Sequence, residues 1–387
     1  MNRPSIFASW RSIRPVTLCL IASLSLMTMH FQAQAQSFTY AWPNTNFDLK
    51  NIDLGEVLSG GPPKDGIPPI DYPQFDQIDT ASSWIAPKEP VISVVHGGQA
   101  KAYPLQIMTW HEIVNDEIGD SANLKSISVT FCPLCNASIV FDREVMDQTL
   151  DFGTTGLLRK SDLIMYDRQT ESWWQQFTGK GIVGDFTDQT LTRIPSSIIS
   201  FEAFTHAYPK GLVLNRQTGV SRNYGQNPYP GYDHIDNQPF LLQGPADDRL
   251  PPMERVLGIS EGKQHRIYPF SIFDSQPLVQ DHFAGKSIIV FQSNTLLSAL
   301  DQASIAGSRQ IAEVVAWESR TIDGKALTFD FDGQTLFDKQ TRSTWNAAGQ
   351  AVNGELKGAQ LASIDSGVHF AFAWLAFNPE TQIYHVP

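Results

Sequence analysis

The stretch Ser126-Ile127-Ser128-Val129-Thr130-Phe131-Cys132-Pro133-Leu134-Cys135-Asn136-Ala137-Ser138-Ile139-Val140-Phe141-Asp142 decides the fold. β-Branched and aromatic residues fill both flanks, so 126–131 and 138–142 read as strands. The C-P-x-C tetrapeptide between them then reads as the turn that joins them. In thioredoxin-like proteins a C-x-x-C pair sits at a helix N-terminus, whose partial positive charge lowers the pKa of the first thiol. Strands on both sides remove that source of activation, and Arg159, Lys160 or His111 would have to replace it.

Upstream, 91–95 is a short β-rich run, Gly97-Gly98 a turn and 100–103 a second strand. Pro104 opens a helix over 105–115, in which Ile107, Met108, His111 and Val114 share one face, so that His111 points inward. Downstream, 163–166 and 173–177 read as short strands and 200–206 as a short helix. From Arg255 the layout returns. Segment 256–259 followed by 266–269 repeats 91–104, 287–291 repeats 127–131, 338–345 repeats 167–174, and Phe372-Ala373-Trp374 with Asn378-Pro379 repeats Glu202-Ala203-Phe204 with Tyr208-Pro209. Order and spacing at this length indicate an internal duplication. The expected fold is α+β and β-dominated, two similar β-rich copies with short helices packed about a pseudo-twofold axis. The first copy is 91–223 and the second 255–387. The Pro, Gly and Asn-rich linker 224–254 reads as surface, and the Pro- and Gly-rich arm 36–90 admits no long helix or central strand.

The N-terminus reads as an export signal over 1–35: Arg3, Arg11 and Arg14, an apolar run at 16–29, and Ala33-Gln34-Ala35 as the cleavage site. The run is shorter than the roughly 20 residues of a membrane span. A periplasmic or secreted protein with no stable membrane insertion is expected. Cys19, one of three cysteines, leaves with the signal. The formal charge of −12 becomes −15 when three arginines and no acids depart, which argues against nucleic acid as a partner.

The two copies act as an internal control. Cys132 corresponds to Gln292, Cys135 to Thr295, His111 to Gln276 and His96 to Glu261, and 158–163 has no counterpart. Chemistry is therefore expected in the first copy alone. The leading reading is a thiol/disulfide oxidoreductase in which Cys132 and Cys135 cycle between dithiol and disulfide, with His111 as base, acting on a thiol, disulfide or small molecule. The alternative is a copper or zinc site of Cys132, Cys135 and His111, with His96 as an outer candidate. A second alternative is a binding module whose disulfide pins a turn. Read alone, His111 also suits a core histidine with a backbone partner. Arg159, Lys160 and Asp162 are candidates for an anionic substrate. Asn136 stands where c-type haem attachment needs histidine, and no G-x-S-x-G elbow or H-E-x-x-H helix occurs.

Four segments together resemble the bacterial domain-of-unknown-function family 3179: Ser59-Gly60-Gly61-Pro62-Pro63-Lys64-Asp65-Gly66-Ile67-Pro68; Ala102-Tyr103-Pro104-Leu105 with Trp110-His111-Glu112-Ile113-Val114-Asn115-Asp116; Val129 through Cys135; and Ser161-Asp162-Leu163-Ile164-Met165-Tyr166-Asp167-Arg168. The resemblance covers nearly all of the chain after the signal. Some members look like selenoproteins with selenocysteine in the motif matching Cys132 to Cys135, which implies redox reactivity for those two positions. It implies no substrate.

Overall fold

The computed structural model describes residues 38–386; the signal reading over 1–35 lies outside them. Among the described residues no helix is long and apolar enough to cross a membrane. Strands dominate and helices are short, the longest α-helices having seven residues.

The first half builds a two-stranded sheet, Glu144–Val145 with Gln148–Thr149, and three larger ones. One has the order Ser196–Ser200, Pro90–His96, Gln99–Pro104, Leu212–Leu214, Phe75–Gln77, another Arg193–Ile194, Ala137–Asp142, Lys125–Cys132, Ile113–Ile118, and the third Val57–Ser59, Phe152–Arg159, Asp162–Asp167, Trp173–Gln175, Lys180–Val183. The second half carries Ser366–Phe370, Arg255–Glu261, Gln264–Pro269, Gln382–Ile383; Leu278–Phe283, Lys286–Leu297, Gln310–Glu318; and Phe329–Phe331, Leu336–Asp338, Thr344–Trp345, Ala351–Asn353. Sheet order matches between the halves, down to one parallel pairing in each: Leu212–Leu214 beside Gln99–Pro104, and Gln382–Ile383 beside Gln264–Pro269. The proline-rich arm contributes only the edge strands Val57–Ser59 and Phe75–Gln77, where a residue without an N–H leaves no ladder bond unmade.

Two local differences from the sequence reading bear on the site. The helix expected over 105–115 is Leu105–His111, and Val114 belongs instead to the strand Ile113–Ile118. The β-branched pair Ile113-Val114 pairs with Thr130 and Val129, and this cross-strand packing outweighs the helical spacing. In the second half, the strand Lys286–Leu297 runs straight through the positions aligned with Cys132 and Cys135, with a bulge between Gln292 and Asn294. The cysteine turn therefore has no geometric equivalent there.

Two large hydrophobic clusters span both halves, and one of them holds the cysteines. It contains Cys132, Cys135, Ile139, Phe141 and Leu163 from the first half and Phe370, Phe372, Trp374 and Leu375 from the second. The linker is a mixture of exposed and partly buried residues, and Tyr229, Tyr232 and Leu242 pack against this cluster.

Candidate functional site

Strands Lys125–Cys132 and Ala137–Asp142 pair in register, Thr130 opposite Ile139 and Cys132 opposite Ala137. The turn closes through the Cys135 N–H donating to the Cys132 carbonyl at 3.2 Å and the Asn136 N–H to the Pro133 carbonyl at 3.3 Å. Asn136 takes φ +49°, which its short side chain tolerates better than most. The second half holds the turn from outside: the Phe370 N–H donates to the Cys135 carbonyl at 2.9 Å. Both cysteines are unbridged thiols, 1% and 0% exposed.

Asp162 reaches the thiols because its hairpin turns tightly. Arg159 pairs with Asp162, and Lys160 and Ser161 between them both take positive φ (54° and 65°), the twist a two-residue hairpin turn requires. Asp162 is fully buried; its Oδ2 accepts from Gln175 Nε2 at 2.7 Å and from the Phe177 N–H at 2.9 Å. Its Oδ1 is sealed from solvent and meets no N–H or O–H donor among the described residues, so the Cys132 and Cys135 thiols, which hydrogen-bond to this carboxyl, are its partners on that side. A carboxylate oxygen of Asp162 and the two sulfurs lie within 4.8 Å of one another.

Burial and the neighbouring carboxyls keep the two thiols protonated in the metal-free chain. Burial pushes the Cys135 thiol well above its ordinary range, and burial with the charges of Asp162 and Glu112 pushes Cys132 up. Burial lifts Asp162 to about 6. The charged groups acting on the thiols are carboxyls, the opposite of what a thiolate needs.

Glu112 ends the helix at φ +60°, ψ −30°, a conformation that costs a side-chain-bearing residue about 1–3 kcal/mol. It is 6% exposed, and its carboxyl makes no hydrogen bond or ion pair among the described residues. Burial, then the charge of Asp162, raise it to about 8. Sequence reasoning missed Glu112 as a site residue because the helical spacing ran through it.

The other candidates lie elsewhere. His111 is buried, but its Nδ1 meets the Pro68 carbonyl and its Nε2 the Tyr224 hydroxyl, each at 2.6 Å. His96 sits at the tip of the hairpin formed by Pro90–His96 and Gln99–Pro104, beside Gly119. Neither joins the Cys132, Cys135, Asp162 group. Arg159 pairs with Glu56 at 2.7 Å, and Lys160 Nζ donates to the Ala376 carbonyl at 2.7 Å. The loop expected to bind an anion is thus divided, its two cations holding the fold and its aspartate facing the thiols.

Beside the group lies a pocket of about 240 Å³, bounded by Glu112, Leu134, Leu163, Tyr229, Tyr232 and Phe240 among others. Tyr232 ties linker to turn, its hydroxyl donating to the Leu134 carbonyl at 3.1 Å and accepting from the Phe240 N–H at 3.2 Å. Nothing in the linker's turn-rich composition marks these tyrosines as inward; only their aromatic bulk amid small polar residues gives a signal.

No curated protein and no solved structure matches this chain. A family model does match, over residues 64–381. That span takes in the arm's Lys64-Asp65-Gly66, the Glu112 corner, the cysteine turn, the Asp162 hairpin and both halves, and the chain belongs to the family described as protein of unknown function (DUF3179).

Proposed function

We propose that the chain is a metal-binding protein whose centre is Cys132, Cys135 and Asp162, taking a soft or borderline ion, zinc or copper(I). One observation carries this reading: two sulfurs and a carboxylate oxygen, all three residues buried, lie within 4.8 Å of one another. Sulfurs bound at about 2.3 Å to a tetrahedral ion stand about 3.8 Å apart, so this spacing suits ligands of one ion. Two thiolates and a carboxylate placed together away from water need a cation, and among the described residues Asp162 forms no ion pair. Gln175 and the Phe177 N–H hold Oδ2 in place, the outer support that metal ligands commonly have.

The reading replaces the Cys₂His set with a Cys₂Asp set, because both nitrogens of His111 are engaged by Pro68 and Tyr224. Chelator-free purification and elemental analysis test it. Stoichiometric zinc or copper is expected in the parent chain and in His111→Gln, and loss of metal in Asp162→Asn and Cys132→Ser. Export to the periplasm or beyond, resting on segment 1–35, remains part of this reading, since it sets the metal supply the site meets.

A second reading is a dithiol that closes to a disulfide, favoured by two unbridged sulfurs within 4.8 Å. Closure would pass two electrons to an acceptor and release two protons. Burial restricts that acceptor to a small molecule. A metal-free pair that stays reduced in excess diamide, with both thiols alkylating after denaturation, removes this reading.

A further inference from the structure

Glu112 is a buried carboxyl without a side-chain partner among the described residues, and it borders a pocket whose other walls are mostly apolar or aromatic, Thr154 excepted. Its neighbour Asp162 is also unpaired by any cation among the described residues. The nearby cations are engaged elsewhere, Arg159 with Glu56 and Lys160 with the Ala376 carbonyl. Leu134 and Leu163 give the pocket an apolar floor, and Tyr229, Tyr232 and Phe240 from the linker bring three aromatic rings to its wall. Aromatic faces attract cations through their quadrupole, more strongly when water is excluded. The backbone at Glu112 is held at φ +60°, a conformation that would relax if any residue could stand there as well as glycine. Strain kept at a pocket wall points to the side chain it positions.

We propose that this pocket binds a small organic cation with an apolar body, an amine or quaternary ammonium, whose charge pairs with Glu112 while its body lies against Leu134, Leu163 and the linker aromatics. The volume fits: an apolar cavity of about 150 Å³ accommodates benzene, and this one is about 240 Å³, room for a ring with a short ammonium arm. The metal centre is a separate group, and the pocket proposal stands whether or not the metal reading does.

Three probes of one shape separate the chemistry: benzylamine, benzyl alcohol and benzoate, titrated calorimetrically against the full chain at pH 8.5, where Glu112 is mainly ionised and benzylamine is still mainly protonated. Benzylamine is expected to bind at least tenfold more tightly than benzyl alcohol, and benzoate not measurably. In Glu112→Gln the preference for the amine should disappear while benzyl alcohol binding is unchanged. Should Glu112→Gln fail to fold, Phe240→Ala is the second variant: Phe240 is 46% exposed at the pocket wall, and its loss should weaken the amine more than the alcohol. Equal binding of amine and alcohol, or no binding of either, overturns the proposal. Cys132→Ser distinguishes it from the metal reading, since that variant is expected to lose metal and keep the amine.

Discussion

At the residue scale the protein keeps three groups in positions that stability alone would not select. Glu112 holds positive φ, so Glu112→Gly should raise stability by about 1 kcal/mol in urea unfolding of the metal-free chain, while removing the preference for an amine. A variant no more stable than the parent would mean the corner is unstrained. Asp162 Oδ1 meets no N–H or O–H donor among the described residues, and the prediction for it is loss of metal on Asp162→Asn. His369, 1% exposed with Nδ1 unpartnered, lies between the rings of Phe177 and Trp374 and is held neutral, its pKa pushed down to about 3 by burial and by Arg193. Between about pH 6.5 and 3 the unfolded chain binds a proton at this residue and the native chain does not. Its contribution is therefore complete above pH 6.5 and is lost as pH falls, by about 1.4 kcal/mol per unit, levelling near pH 3. His369→Phe should remove about 2 kcal/mol of the stability difference between pH 7 and pH 5, read as urea midpoints; an unchanged difference would show that His369 takes up its proton without unfolding.

At the scale of elements the arm is fixed to the first half by edge-strand pairing, by the ion pairs Lys64–Glu171 and Arg168–Asp71 and by Trp42 packed with Tyr166 and Trp173, and at Gly156 the two backbones leave no room for a side chain. Gly156 sits at φ +71° in the irregularity between Thr154 and Leu158, accepts a hydrogen bond from the Gly60 N–H at 2.8 Å, and a methyl group there would run into the Pro62 carbonyl. Gly156→Ala should cost about 2–4 kcal/mol and open 59–66 to protease; an arm as resistant as the parent's would show that the contact is dispensable. The hairpin around Cys132 was legible in the sequence because strand-forming residues lie on both sides of a Pro-containing turn. His111 was legible as inward, but its partners, Pro68 and Tyr224, come from loops 43 and 113 residues away, which no local pattern encodes. Asp162 was singled out beside Arg159 and Lys160 and assigned an anion; the tight turn at Lys160-Ser161 instead sends Asp162 to the thiols. Glu112 escaped because Ile107, Met108, His111 and Val114 fit a helix equally well on paper. The preference of Ile113-Val114 for the partner strand decided otherwise, and that is a tertiary effect.

At the scale of the molecule the two halves share sheet order but divide the work. The second half supplies the Phe370 N–H to the Cys135 carbonyl and the rings of Phe370, Phe372 and Trp374 to the cluster that holds both cysteines. Trp374, 2% exposed, lies over Gly258 and donates its indole N–H to Thr381. Trp374→Ala should cost about 3–5 kcal/mol and hasten metal release to a chelator, although Trp374 supplies no donor to the centre. Release at the parent rate would make the second half a passive support. Cys132, Cys135 and Asp162 acting as one metal centre is the central proposal. The most direct test is native mass spectrometry of the chain purified without chelator, set beside Asp162→Asn. One zinc or copper ion per parent chain and none in the variant is the result predicted; a parent chain that stays metal-free when offered both ions, with its thiols titratable, would contradict it.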